Sequence, residues 1–394
     1  MAEDEMIYLD NNATTEIDPA ALEEMLPFLH RFYGNPSSGY QFAARARRAT
    51  EEARARLAAL VGCQPNEIVF TSGGTEANNA AINSALQFEP RGKHIVTSAV
   101  EHSAVRRLCQ ELSTRGCEVT FVGVDGDGQI DVREVEAAIR PETAVVSIMW
   151  ANNETGVLFP VEQIAEVCRT KRVLFHTDAV QVLGKIPVRL RDTAINFLSL
   201  AAHKFHGPKG VGALYVSERS RFQASIVGGG HEGGRRAGTE NVASIVGLGI
   251  AAERAGECLG DEQKKVGLMR DRFESAILER VPGATINGVR ASRLSNTASI
   301  SFEGVESQAA LMLLDRSQIC CSAGSACKTG AEEASHVLRA MKVPEDKARG
   351  TVRFSFGRFN SESDLTRALK IVPEVMTKLR ALSARPAIAV EAAS

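Results

Sequence analysis

No run of apolar residues in this sequence approaches the ~20 that a helix needs to cross a bilayer, so a chain anchored by membrane-spanning helices is excluded. Nor is there an excess of charge. The 46 Lys plus Arg against 48 Asp plus Glu leave a net charge of -2, which offers no field for gathering nucleic acid or an anionic membrane surface. The first residues, MAEDEM, are acidic where a secretory or mitochondrial presequence is basic, and the expected location is the cytoplasm. Cysteine is sparse as well. Eight in 394 residues, with no CxxC pair, make neither a disulfide scaffold nor a zinc site; they read as reduced thiols, mostly packing, with room for one reactive member. Internal repeats and low-complexity segments are missing. Hydrophobic residues at 44% and charged residues at 24% then describe an ordinary globular protein, with small molecules the better guess for its substrates.

A chain of this length exceeds a single core, and one large and one small domain are expected. From about Pro19 to Ser217 helical periodicity alternates with short β-branched runs, the pattern of a mainly parallel sheet flanked by helices. Strands are predicted at Ile68 to Thr71, His94 to Ser98, Val119 to Val122, Ala144 to Met149, Val173 to His176, Ile195 to Ser199 and Ala213 to Val216. The stretch from Ser38 to Val61 reads as a solvated helix with Ser37 or Ser38 as its N-cap. A long helix from Glu240 to about Val281 hands over to strands at Thr297 to Phe302 and Thr351 to Phe356 that bracket two helices. The fold class is therefore α/β, with 15–255 as the large domain, 1–14 and 256–382 as a smaller α+β domain, and 383–394 as a frayed tail.

Open α/β sheets bind ligands in the loops beyond the carboxyl ends of their parallel strands, and four such loops carry chemistry here. SGGTEANN, after Ile68 to Thr71, offers Gly74 for a tight turn and Thr75 at a helix start; it suits a phosphate, although Thr75 also reads as a plain N-cap. AVEHSAV places His102 where it can stack on a planar ring or move a proton, or simply cap a helix. HTDAVQ sets Asp178 and Gln181 past the sheet; a carboxylate there can keep a pyridine nitrogen protonated, or cap the next turn. AAHKFHGPKGVG encloses Lys204 between two histidines, and an enclosed amine with a lowered pKa suits carbonyl chemistry, against the default of a surface lysine.

Taken in order, a phosphate cradle, a stacking histidine, Asp then Gln, and finally His-Lys resemble the aspartate-aminotransferase-like, fold-type I pyridoxal-phosphate enzymes. Longer motifs narrow this. YLDNNATT at Tyr8 to Thr15, GNPSS at Gly34 to Ser38, TSGGTEANN, EHSAV, WANNETG at Trp150 to Gly156, HTDAVQ, RRAGTEN at Arg235 to Asn241, SAGSAC at Ser322 to Cys327 and RFSFGR at Arg353 to Arg358 are similar to cysteine desulfurases of the NifS/IscS-type branch. The resemblance runs from about Ile7 to Leu382.

That resemblance implies pyridoxal 5'-phosphate as cofactor, anchored covalently by Lys204, which then serves as the base at the substrate Cα. It implies Asp178 on the ring nitrogen, Gln181 on the ring hydroxyl oxygen, His102 stacked on the ring, and Thr75, the Gly74 backbone and His203 on the phosphate. Thr239 would reach the phosphate of a neighbouring subunit, which implies a homodimer. Asn153 would lie near ring and substrate, and Arg353 would clamp the substrate carboxylate through paired donors. Cys327 would take sulfur from L-cysteine as a persulfide and leave alanine. Its surroundings, SAGSACKTGAEE, have the composition of a mobile exposed loop over about 322–333, and Lys328 can help lower its pKa. The implied role is sulfur supply for iron–sulfur cluster assembly, with a scaffold protein of the NifU/IscU type as acceptor. No resident metal is expected, and contact of Cys327 with a cluster would be transient and on the scaffold. WANNETGVLFP and RRAGTEN lean toward the nitrogen-fixation type. Two departures stand out: Ala201 and Ala202 precede the His-Lys pair where many members carry a Ser-Gly-like pair, and Ala323 replaces a frequent Ser. The alternative is a selenocysteine lyase, or another lyase or aminotransferase of the same fold.

Overall fold

A computed structural model describes residues 6–88, 92–323 and 335–383. At its centre is a seven-stranded sheet in the order Ile68–Thr71, Gly212–Val216, Phe197–Ala201, Leu174–Asp178, Thr143–Ser147, His94–Ser98 and Glu118–Val122. Only Gly212–Val216 runs against its neighbours; the remaining pairs are parallel. Both Thr71 and Ala201 lie opposite Gly212, so the first strand ends on the same side of the sheet as the parallel ones, and its loop joins theirs.

The interior strands of the sheet are covered on both faces. Successive residues fall into different cores, as the two-residue period of a strand requires. Val96, Val146 and Leu198 pack with Leu57, Ile164 and Leu248, from helices Gln41–Val61, Val161–Lys171 and Val242–Arg280. Their neighbours Ile95, Val145 and Phe197 pack with Ala81, Ile82 and Cys109, from helices Gly74–Phe88 and Ser103–Thr114. Gly249 lets the long helix close on Gln41–Val61, since a Cβ there would lie 2.5 Å from the Ala53 Cα.

A further core gathers Ile7 and Leu9 with Phe273, Ile300, Phe302, Phe354 and Met376. It lies on the antiparallel sheet of Ser322–Ala323, Thr351–Ser355, Thr297–Phe302 and Ala284–Ile286. The 39-residue helix Val242–Arg280 spans about 58 Å at 1.5 Å per residue and supplies buried side chains to both cores. Val337, Leu338, Met341 and Ala348 cross back and join the core of the large sheet.

Several expectations need correction. The helix predicted from Ser38 starts at Gln41, and its N-cap is Tyr40 with no side-chain bond; Ser37 and Ser38 are spent in a turn closed by Asn35. The strand predicted to run to Met149 stops at Ser147, because the Met149 N–H turns to Glu101 Oε1 and the Trp150 N–H to the Asp178 carbonyl. Between the last two long strands the described residues form three helices rather than two, Ser307–Arg316, His336–Ala340 and Glu345–Arg349, together with two short strands, Ile319–Cys320 and Ser322–Ala323. Among the described residues no helix is long and apolar enough to cross a membrane.

Candidate active site

Lys204 closes a short turn directly after Phe197–Ala201. Its Nζ donates to the carbonyls of Asn12 at 2.6 Å and Ala13 at 2.8 Å. Burial, with Arg353 nearby, pushes the amine down to about 8. The N-terminal segment is laid along this turn: the Thr15 N–H donates to the His203 carbonyl, and the Thr14 hydroxyl lies 3.1 Å from His203 Nδ1. Burial also holds the His203 imidazole down to about 4, with Lys204 adding to the effect.

Lys204 opens on a cavity of about 320 Å³ that it shares with Gly74, Thr75, His102, Asn153, Asp178, Gln181, His203 and Arg353. Eight residues singled out in the sequence are thus brought together with Lys204. Asp178 ends Leu174–Asp178 and is buried. Its Oδ2 accepts from Asn78 Nδ2 at 2.6 Å, and its Oδ1 accepts from the Val180 N–H at 3.0 Å. It therefore caps the next turn and still presents a carboxylate to the cavity. His102 is likewise both things: Nδ1 caps helix Ser103–Thr114 by accepting the Ala104 N–H at 3.2 Å, which puts the neutral ring's proton on Nε2. Burial keeps this imidazole below its usual range, with Asp178 opposing and Lys204 assisting.

Gly74 begins the 15-residue helix Gly74–Phe88, whose first N–H groups and positive dipole end favour an anion. A Cβ on Gly74 would come within 2.5 Å of Val180 Cγ2, so a side chain there would force the two loops apart. Arg353 is buried in Thr351–Ser355. It donates through Nη2 to Asp10 Oδ1 at 2.7 Å and through Nη1 to the Asn153 carbonyl at 2.8 Å, and its Nε has no partner among the described residues.

Thr239 is not brought into this cavity. It is exposed and lines a separate one of about 230 Å³ with Thr71, Ser72, Gly210 and Arg236. Cys327 and Lys328 lie outside the described residues. The chain on either side is tied down: Ser322 Oγ donates to Asp10 Oδ2 at 2.8 Å, and Ser335 Oγ donates to Glu154 Oε2 at 2.5 Å.

Sequence reasoning assigned no role to Asn12, Asn78 or Lys185. Asn12 works through its carbonyl, which accepts from both Lys204 and Gln181 Nε2. Asn78 stood inside TEANN, and its spacing of four from Gly74 places it one helical turn inward, the one signal that could have found it. Lys185 carried no signal at all; it is buried and donates to Gln181 Oε1 at 3.0 Å and to the Gln181 carbonyl at 3.1 Å.

An anion cradle, a carboxylate, a reactive amine and a buried guanidinium around one cavity match a phosphorylated pyridine aldehyde together with an amino acid's carboxylate. The donor set therefore fits pyridoxal phosphate. Among the described residues no cluster of His, Cys, Asp or Glu could hold a metal ion.

The aminotransferase class-V family matches residues 7–368. A protein of Cereibacter sphaeroides named cysteine desulfurase is 51% identical over 381 residues, covering 96% of this chain and 98% of its own. One of the same name from Gluconacetobacter diazotrophicus is 50% identical over 379 residues, covering 96% and 95%. Among solved structures, a NifS-like protein superposes with a TM-score of 0.89 at 37% identity, covering 95% of this chain and 100% of that one. SspA in complex with cysteine does so with a TM-score of 0.80 at 35% identity, covering 90% and 99%.

Proposed function

This chain belongs to the aminotransferase class-V family, and from that premise we propose that it is a pyridoxal-phosphate-dependent cysteine desulfurase. The net reaction converts L-cysteine and the Cys327 thiol to L-alanine and a Cys327 persulfide. A sulfur–sulfur bond forms, the substrate carbon–sulfur bond breaks, and a proton replaces sulfur on the substrate carbon. The observation that carries this reading is the depressed amine of Lys204 facing Asp178, His102, Gly74 and Arg353 across one cavity.

The cofactor, when bound, supplies a sink for the electron pair left at the substrate Cα. The protein does the rest. Thr75, the Gly74 N–H and His203 hold the phosphate, and Asp178, itself steadied by Asn78, keeps the ring nitrogen protonated. His102 would hold the ring and offer its Nε2 proton, while Gln181 would serve the ring oxygen. Arg353 and Asn153 orient the substrate carboxylate, and the Lys204 amine moves the proton at Cα. With a pKa of about 8, the amine exchanges a proton near neutral pH far more readily than a free lysine.

Residues 15–255 form the cofactor domain, and 1–14 with 256–382 form the smaller one. The separate apolar cores support this, with Val337–Ala348 as the segment that returns to the larger. The protein acts as a cytoplasmic homodimer in which Thr239 serves the neighbouring cavity. Exposure of Leu26, Leu29, Tyr33 and Tyr40 on one stretch of chain supports a covered face there. The persulfide sulfur passes to an iron–sulfur scaffold protein of the NifU/IscU type.

The test is the Cys327→Ala holoenzyme given L-cysteine. The parent gains the mass of one sulfur on Cys327 and releases alanine, whereas the variant keeps its visible cofactor band and does neither. Alanine formation by the variant at the parent rate would refute the reading.

A further inference from the structure

Lys185 is a buried amine that the chemistry above does not use. It follows Gln181 by four residues and bonds to that residue twice, to Oε1 at 3.0 Å and to the main-chain carbonyl at 3.1 Å. The other end of the carboxamide is also committed, because Gln181 Nε2 donates to the Asn12 carbonyl at 2.9 Å. An amine at this position donates, and a peptide carbonyl only accepts. The two neighbours therefore specify the amide's orientation from opposite sides: oxygen toward Lys185, nitrogen toward Asn12. Gln181 lines the cavity, so its second N–H is the group available there.

We propose that Lys185 is a positioning residue that holds the Gln181 carboxamide with an N–H, and not its oxygen, toward the ring oxygen of the bound cofactor. This rests on the placing of Gln181 at the ring in the function proposed above. Removing the amine strands Gln181 Oε1 in a buried site without a donor, an arrangement folded proteins avoid. The carboxamide is then fixed from the Asn12 side alone, and the rotation by which Oε1 seeks a donor draws its N–H away from the ring oxygen.

The surroundings explain why a lysine can serve. Burial brings the Lys185 amine down to about 7, with Lys204 and Arg353 opposing its charge and Glu262 favouring it. In either protonation state Nζ still donates, so the orientation survives across neutral pH.

The consequence is spectroscopic. A donor on the ring oxygen spreads its negative charge and lowers the proton affinity of the linkage nitrogen on Lys204. Loss of that donor raises the pH midpoint of the change in the visible band. The experiment titrates this band in the holoenzyme for the parent, Lys185→Met, Gln181→Ala and the double variant, and measures cofactor retention on dialysis. K185M is expected to raise the midpoint by about one unit, the scale of one hydrogen bond, and to release cofactor faster. Q181A and the double variant are expected to share one midpoint, because Lys185 acts through Gln181.

A K185M midpoint equal to the parent's, with Q181A shifted, overturns the proposal and leaves the cofactor reading standing. Additive shifts overturn it too, since Lys185 would then act by its charge alone. An unmoved Q181A removes Gln181 from the ring and takes the proposal with it. Should K185M fail to fold, Lys185→Leu, which likewise has no donor, carries the same cycle with the same expected and refuting outcomes.

Discussion

Glu101 is the most consequential buried carboxyl next to the site, and replacing it with Gln should change how stability depends on pH. It is fully buried, and its Oε1 accepts from Ser98 Oγ at 2.6 Å and from the Met149 N–H at 2.9 Å. Its Oε2 has no partner among the described residues. Burial, with Asp178 adding to it, pushes the carboxyl from 4.5 up to about 8. Between those two values the folded chain keeps a proton that the unfolded chain has released. Stability from this group is therefore full below about pH 4.5, falls by about 1.4 kcal/mol per pH unit, and is lost above about pH 8, some 5 kcal/mol in all. In E101Q the amide oxygen keeps both bonds and nothing titrates, so the gain over the parent should grow by about 3 kcal/mol between about pH 6 and about pH 8.5. Trp150, the single tryptophan, is buried beside Met149, and its fluorescence in urea at matched protein and cofactor concentrations reads the unfolding. A difference between variant and parent that stays within about 1 kcal/mol over that range would show that Glu101 is ionised in the fold.

The other substitutions test the site piece by piece. Asn78→Ala removes the 2.6 Å bond to Asp178; a hydrogen bond to a charged group contributes about 1.5–3 kcal/mol, so cofactor affinity measured by reconstitution should fall by roughly 10- to 100-fold, with little change in fold by circular dichroism. Arg353→Lys keeps the charge but loses the forked donors that meet Asp10 and the Asn153 carbonyl; kcat/KM for cysteine should drop by roughly 30-fold or more, mostly in KM, and an unchanged KM would place the carboxylate elsewhere. Gly74→Ala sets a Cβ 2.5 Å from Val180 Cγ2 and should weaken phosphate retention, seen as faster loss of the visible band on dialysis.

How far the fold could be read from the chain depends on what each element buries. Strands covered on both faces announce themselves as short β-branched runs, and His94–Ser98 and Ile68–Thr71 were placed to the residue. Ile319–Cys320 and Ser322–Ala323 are two residues each, too short for any period, and exist because Ile7–Tyr8 and Thr351–Ser355 lie alongside. The site divides the same way. Lys204, Asp178 and His102 were legible because open sheets present side chains at strand ends. Asn12 was not, since its part is played by a carbonyl that every residue type possesses. Lys185 was hidden by the sound default that a lysine faces water, and Thr239 lines a cavity other than the one onto which Lys204 opens.

Covalent geometry sets a limit on the sulfur step. Ser322 pairs with Arg353 across the small sheet and bonds to Asp10, the carboxylate that also holds Arg353. At the other end, Ser335 bonds to Glu154, whose neighbour Asn153 takes the second Arg353 donor. Both roots of the segment carrying Cys327 are thus fastened beside Arg353. Cys327 lies four positions beyond Ala323, a reach of about 14 Å when extended, and eight positions before Ser335. The shorter arm limits the thiol to that distance from Ala323. Deleting Gly324 and Ser325 cuts that arm to about 7 Å and should lower persulfide formation more than tenfold while the visible band stays. Deleting two residues from 329–334 leaves the shorter arm intact and should cost far less. Equal losses from the two deletions, read as sulfur mass gained on Cys327, would refute the assignment of the 323 root as the limiting tether.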